Sequence, residues 1–180
     1  MEQLEKVISK KKDKEQVPTL LEMEVTLSSF FNCRQNVIVP NVHWGLGIHE
    51  CDLFILRPSG YCAEVEIKRS KADIKKDLDK KHGHKSKWIK DLYFAIPESL
   101  EDCIEFIPHH AGVILIKKTD KGYRYAEIKR NPRSNKSAIK LSDIGVSKLG
   151  RLASLRIWSQ KQQIIQLQNE IKRLNQNSNV

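Results

Sequence analysis

Two strand-like runs joined by a short turn constrain this chain more than any other stretch. They are His49-Glu50-Cys51-Asp52-Leu53-Phe54-Ile55-Leu56 and Tyr61-Cys62-Ala63-Glu64-Val65-Glu66-Ile67-Lys68, flanking Arg57-Pro58-Ser59-Gly60. Pro followed closely by Gly is turn chemistry, and the apolar flanks make the stretch a predicted β-hairpin. A three-residue loop with Gly60 in the left-handed position pairs Arg57 with Tyr61 and sets Asp52 opposite Glu66. Directly opposite residues share a face, with Cβ atoms about 4.5–5.5 Å apart, and Lys68 falls on that face two residues on. Two carboxylates and an ammonium then converge. The same register sets Phe54 opposite Glu64, so Glu64 is not expected as a primary ligand. It also sets Glu50 opposite Lys68, where it is suited to orient the lysine. A slip of one residue would send Asp52 to the other face.

On its own the Glu-x-Lys triplet is common, and the bland reading is a half-exposed strand with a solvated Glu/Lys face. The neighbouring segments add context. Pro18-Thr19 opens a predicted helix from Leu20 to about Asn32, with Leu20, Met23, Leu27, Phe30 and Phe31 at helical spacing. Glu24 falls inside that stripe, where an acid needs a partner or a metal, unless it sits at the exposed edge. Asn36–Pro40 reads as a short strand, and Gly45 and Gly47 mark a loop. Ser70 is suited to cap a helix running to about Lys81. Ten basic residues lie between Lys68 and Lys90. Of these Lys71, Lys75 and either Lys76 or Lys80 align on one helical face, a phosphate-tracking surface if it borders the carboxylates. His82 and His84 break the helix in a basic loop and are suited to touch phosphate or, less readily, a metal.

Further strands are predicted at Asp91–Ile96, Gly112–Lys117 and Tyr123–Ile128, with a short helix at Glu98–Phe106. A basic loop follows at Arg130–Ser137. A long helix then runs from Ser142-Asp143 to about Asn175. In it Ile164, Leu167, Ile171 and Leu174 make a short heptad stretch, able to pair with a second copy or to dock on its own domain.

The net charge of +10 favours an anionic partner, nucleic acid first and an anionic membrane surface second. The four cysteines form no C-x-x-C pair, so no zinc or redox motif is suggested and a reducing, cytoplasmic setting fits. The N-terminus is charged and carries no apolar signal core. No run reaches membrane-spanning length; DNA is the expected partner, and no membrane is.

In their order, a helix carrying an acid, a meander with Asp52, then Glu66-Ile67-Lys68, a basic helix and a strand are similar to the PD-(D/E)XK nuclease superfamily. Gly47-Ile48-His49-Glu50-Cys51-Asp52-Leu53, Glu64 through Asp73, Asp77, and Leu92-Tyr93-Phe94-Ala95-Ile96-Pro97 resemble in particular the MmcB-like putative DNA-repair endonucleases and related small phage and bacterial proteins. The likeness covers about Leu20–Lys117. After Asp77, the run Asp79-Lys80-Lys81-His82-Gly83-His84 departs from the usual Lys-Trp continuation.

The resemblance implies a restriction-endonuclease-like α/β fold, a mixed β-sheet flanked by helices, with a long C-terminal α-helix outside the matched part. It divides the chain into a charged arm at 1–17, a nuclease-like domain at 18–130, and a basic loop and helical tail at 131–180. It makes Asp52 and Glu66 ligands of Mg²⁺ or Mn²⁺, Lys68 the catalytic lysine, and Glu24 the helix-borne acid, with Glu22 as its fallback. Lys71, Lys75, Lys80, Lys81, His82 and His84 are the expected nucleic-acid contacts. The expected function is metal-dependent DNA cleavage, in repair or in processing of phage or mobile-element DNA. Its rivals are a non-catalytic nucleic-acid-binding module and an adaptor assembling through its C-terminal helix.

Overall fold

The hairpin forms in the predicted register. Gly60 adopts φ +84°, Gly60 N donates to Arg57 O, and Arg57 N donates to Tyr61 O. Strands β2 (Cys51–Leu56) and β3 (Cys62–Ile67) pair antiparallel, with Phe54 opposite Glu64 and Leu53 opposite Val65. The protein is known from a computed structural model that describes residues 17–42, 45–77, 84 and 86–177. The expected N-terminal arm lies outside these residues.

The hairpin belongs to a six-stranded mixed sheet in sequential order. The other strands are β1 (Val37–Val42), β4 (Ile89–Pro97), β5 (Gly112–Lys118) and β6 (Arg124–Arg130). Strand β2 runs antiparallel to both β1 and β3; β3, β4 and β5 run parallel, and β6 returns antiparallel. Parallel neighbours require crossovers. Helix α2 (Lys71–Asp77) lies in the first, and the 3₁₀ segment Glu98–Phe106 in the second.

Alternation along the strands creates two faces. Helix α1 (Leu20–Phe30) covers one of them, burying Met23 and Leu27 against Leu53, Ile55, Val65, Ile67 and Ile116. Its start is fixed by a capping box, in which Thr19 Oγ1 accepts from Glu22 N and Glu22 Oε2 accepts from Thr19 N at 2.6 Å.

The opposite face carries two separate apolar clusters. In one, Ile74 of α2 and Cys103 and Ile107 pack on Leu92, Phe94 and Leu115. In the other, Val39, Phe54, Leu56, Cys62 and Ile89 meet Leu141, Leu149 and Leu152. Glu64 and Glu66 of β3, and Lys68 just beyond its end, project between the two clusters.

The start of the C-terminal segment folds back on the sheet. Backbone bonds from Arg133 to His110, Asn135 to Lys90, Ile139 to Lys87 and Leu141 to Gly60 stitch it along β4 and the hairpin turn. Helix α3 (Asp143–Asn177) then buries Leu149 and Leu152 in the sheet cluster. The basic loop and first turns of the tail therefore complete the domain core, because β2 and β3 leave that patch of sheet otherwise uncovered. Arg156 hydrogen-bonds to Asn41 O, and residues 157–176 are exposed throughout. No described helix is long and apolar enough to cross a membrane.

Candidate active site

The β2–β3 pairing stops at Leu53–Val65. One step further the Ile67 amide donates to Asp52 Oδ2 at 2.7 Å. The Asp52 side chain takes a donor the ladder no longer uses, and the two strands part around it. A cleft of about 500 Å³ opens there, lined by Glu50, Asp52, Glu66, Lys68, Asp73, Lys76 and Asp77. Asp52, Glu66 and Lys68 thus share one cleft, as the register requires.

Lys68 is buried, yet its Nζ lies 2.6 Å from Glu66 Oε2 and 2.9 Å from Asp77 Oδ1. Burial pulls the ammonium pKa down, but the Glu66 and Asp77 carboxylates outweigh it and hold the pKa above its ordinary value. Lys68 is therefore a fixed cation at neutral pH, suited to stabilise an anion and not to accept a proton. Glu50 lines the cleft, but Asp77 holds the lysine, so the orienting role expected of Glu50 passes to Asp77. Helix α2 carries Asp77 three residues after buried Ile74, on the face turned to the sheet.

Behind the cleft the polar network continues into the protein. Glu64 is fully buried, with His49 Nε2 2.8 Å from both its oxygens and His84 Nδ1 2.8 Å from Oε1. The other nitrogen of His84, Nε2, lies 2.6 Å from Asp77 Oδ2. Burial disfavours the His84 imidazolium, but Asp77 and Glu64 overcome this and push its pKa up to about 9. Burial likewise disfavours the Glu64 carboxylate, and the two histidines reverse the effect and lower its pKa. His84 is thus a buried member of this network. Its expected role as an exposed phosphate contact is corrected, because both ring nitrogens face carboxylates inside the protein.

Glu24 is not brought to the cleft. Its Oε1 accepts from Asn41 Nδ2 at 3.4 Å, and it is not among the residues that line the cavity. Asn41 follows Pro40, the cross-strand partner of Leu53, so Glu24 stops one residue short of Asp52 and is left out of the proposed ligand set. Glu22, the fallback, is committed to the helix cap and to Arg124, 3.3 Å away.

Lys71 and Lys75 sit on the exposed side of α2, their ammonium groups 5.3 and 4.8 Å from the Phe106 ring. Lys80, Lys81 and His82 lie outside the described residues. A second groove of about 530 Å³ adjoins His84 and presents Lys87, Lys90, His110 and Arg133. Sequence reasoning did not single out this groove. The loop holding Arg133 and Asn135 folds back beside β4 to form it, a tertiary event with no local signal.

No family model matches the chain, and no curated protein matches it significantly. The fold is similar to that of SPO1766, a protein of unknown function from Silicibacter pomeroyi, with a TM-score of 0.59 and 20% sequence identity over 83% of this chain and 93% of the other. That likeness concerns the fold.

Proposed function

We propose that this chain is a metal-dependent DNA nuclease of the PD-(D/E)XK kind, acting in the cytoplasm in repair or in processing of phage or mobile-element DNA. The observation that carries the reading is the meeting of Asp52, Glu66 and the fixed ammonium of Lys68 in one open cleft. The donor set fits a hard divalent cation. Mg²⁺ and Mn²⁺ prefer oxygen ligands, and Mg²⁺ keeps several waters while binding one or two carboxylates. Asp52 and Glu66 offer oxygens, and the cleft has room for ion, water and a phosphate. A bound ion supplies Lewis acidity and a water of lowered pKa. Lys68 stabilises negative charge developing on the phosphate, held in place by Glu66 and Asp77. Lys76 in the cleft lining, Lys71 and Lys75 on the exposed side of α2, and Lys87, Lys90 and Arg133 in the second groove support contacts to the phosphate backbone.

The test is cleavage of single-stranded, duplex and branched DNA with Mg²⁺ or Mn²⁺, comparing the wild type with Asp52→Ala and Lys68→Ala. The wild type should cut and both variants should lose on the order of 10²–10³-fold in rate. Equal behaviour of all three defeats the nuclease assignment, and DNA retained without cleavage by the wild type leaves a binding module.

We further propose that the exposed stretch of α3 after Arg156 joins two copies. Ile157, Ile164, Leu167, Ile171 and Leu174 are each more than half exposed and follow an a/d pattern broken only at Gln160. Ile at a with Leu at d favours two parallel strands. Sedimentation should show a dimer that Leu167→Asp converts to monomer; a wild-type monomer at high concentration would refute the pairing.

A further inference from the structure

The buried end of the polar network has a donor chemistry different from that of the cleft. His49 Nε2, His84 Nδ1 and the Glu64 carboxylate converge from three parts of the chain, with one ligand atom of each within 4.8 Å of the others. The two imidazoles meet edge to face, their centroids 5.3 Å apart. Nitrogen-rich enclosed sets suit borderline transition metals, whereas oxygen-lined open ones suit Mg²⁺. His84 also has the arrangement typical of a metal-bound histidine. One nitrogen faces the other donors, and the second is bonded to a carboxylate, here Asp77 Oδ2 at 2.6 Å. Such a partner fixes the tautomer and ring orientation of the ligand.

We propose that His49, Glu64 and His84 form a second cation site, for a zinc-class divalent transition metal, distinct from the Asp52/Glu66 cleft. Two imidazole nitrogens and one carboxylate oxygen make three protein donors, the number of a zinc site that leaves its fourth position to a water. Bond lengths of about 2.0–2.2 Å place tetrahedral neighbours roughly 3.4 Å apart. The imidazoles, now 2.8 Å from the carboxylate, move out by about half an ångström to admit the ion. The cluster brings the carboxylates of Glu64, Glu66 and Asp77 against one buried ammonium, Lys68, so a dication between neutral imidazoles complements its charge. Through His84 and Asp77 the ion steadies Lys68, and it fastens the chain after α2 to the sheet. The site does not rest on the nuclease reading. The competing state has the same contacts with protons in place of the ion.

The test uses full-length protein without a histidine tag, stripped with chelator and titrated with Co²⁺ and then Zn²⁺ in excess Mg²⁺. One equivalent of Co²⁺ should bind with the intense visible bands of a four-coordinate nitrogen/oxygen site. It should show no thiolate charge-transfer band, because burial and the Glu64 charge hold Cys51 as a thiol, and Zn²⁺ should displace it. His49→Asn and Glu64→Gln should lose on the order of 100-fold or more in Zn²⁺ affinity, Asp77→Asn about 10–100-fold, and Asp52→Asn little. Should the first two variants fail to fold, X-ray absorption of zinc-loaded wild type decides, with two imidazoles in the zinc shell expected. Stoichiometric binding unaffected by His49→Asn, a thiolate band, fewer than two imidazoles, or no Co²⁺ uptake by the wild type would each overturn the site.

Discussion

Replacing Lys68 by Met removes a charge the fold has enclosed, and the expected cost follows from its surroundings. The ammonium is buried between Glu66 and Asp77 at 2.6 and 2.9 Å. Methionine keeps most of the side-chain volume, so the change is chiefly electrostatic: two nearly water-free carboxylates lose their shared cation. Removing one partner of a buried pair costs about 3–5 kcal/mol. For a chain of this length 1 kcal/mol corresponds to about 2–4 °C in Tm, so Lys68→Met should melt about 6–20 °C below wild type at pH 7. Linkage gives the effect a sign with pH. Glu66 and Asp77 hold the Lys68 pKa above its ordinary value, so the lysine's contribution is fully present below its unfolded pKa and the penalty should not grow on acidification from pH 7. Glu66→Gln in the Lys68→Met background should recover part of the loss, and a double-mutant cycle by urea unfolding measures the coupling. A Lys68→Met melt within 2 °C of wild type at pH 7, or a penalty that grows on acidification, would refute the buried-cation argument.

In chelator-treated protein the raised His84 pKa, about 9 against an ordinary 6.5, makes its contribution to stability complete below pH 6.5 and lost as pH rises through 9. Wild type should lose roughly 3 kcal/mol over that window relative to His84→Gln in urea titrations; parallel profiles would contradict it. Along α3, Leu149→Ala should destabilise the domain by about 2–5 kcal/mol, because Leu149 is fully buried. Leu167→Ala should leave monomer stability within about 0.5 kcal/mol and weaken only self-association. If DNA follows the basic face of α2, Lys71→Ala and Lys75→Ala should each lower the slope of log affinity against log salt by about 1, uniformly across sequences. Unchanged slopes in filter binding or fluorescence anisotropy would move the DNA path elsewhere.

The parts of the site legible in the sequence were those set by local geometry. Pro58-Ser59-Gly60 fixes the loop length, loop length fixes register, and register alone sets Asp52 near Glu66 and Phe54 across from Glu64. The long helix was legible from its spacing. Burial of the Glu64-Glu66-Lys68 row was not, because alternating Glu and Lys has the same pattern whether water or another segment covers it. His84 covers it from twenty residues beyond Glu64, and nothing local in a basic His-Gly-His loop says that a ring turns inward. Asp77 left a fainter signal, since it shares a helical face with Ile74. Glu24 failed for the converse reason. Its position on an apolar stripe was real, but that stripe packs on the opposite face of the sheet.

The position of this row in the sheet is itself an argument for function. Strand β3 is an inner strand, antiparallel to β2 and parallel to β4, and all its residues are buried. Strands covered on both faces ordinarily read as continuous apolar runs. On one face β3 obeys the rule, with Ala63, Val65 and Ile67 in the core. On the other it sets Glu64, Glu66 and then Lys68 between Phe54 and Phe94, where a branched apolar side chain would fit the pleat. Desolvating each charge costs several kcal/mol, and well-packed apolar substitutes for buried ion groups are often neutral or stabilising by 1–4 kcal/mol. Neither helix packing nor sheet pairing requires charges there. A local rule broken at three alternate positions, in the one strip of that face between the two apolar clusters, is the pattern expected of a site that trades stability for chemistry. The break also divides the strip by donor type, oxygen and ammonium at the open end and imidazole at the closed end. That division is what separates the open Asp52/Glu66/Lys68 cleft from the buried His49/Glu64/His84 cluster.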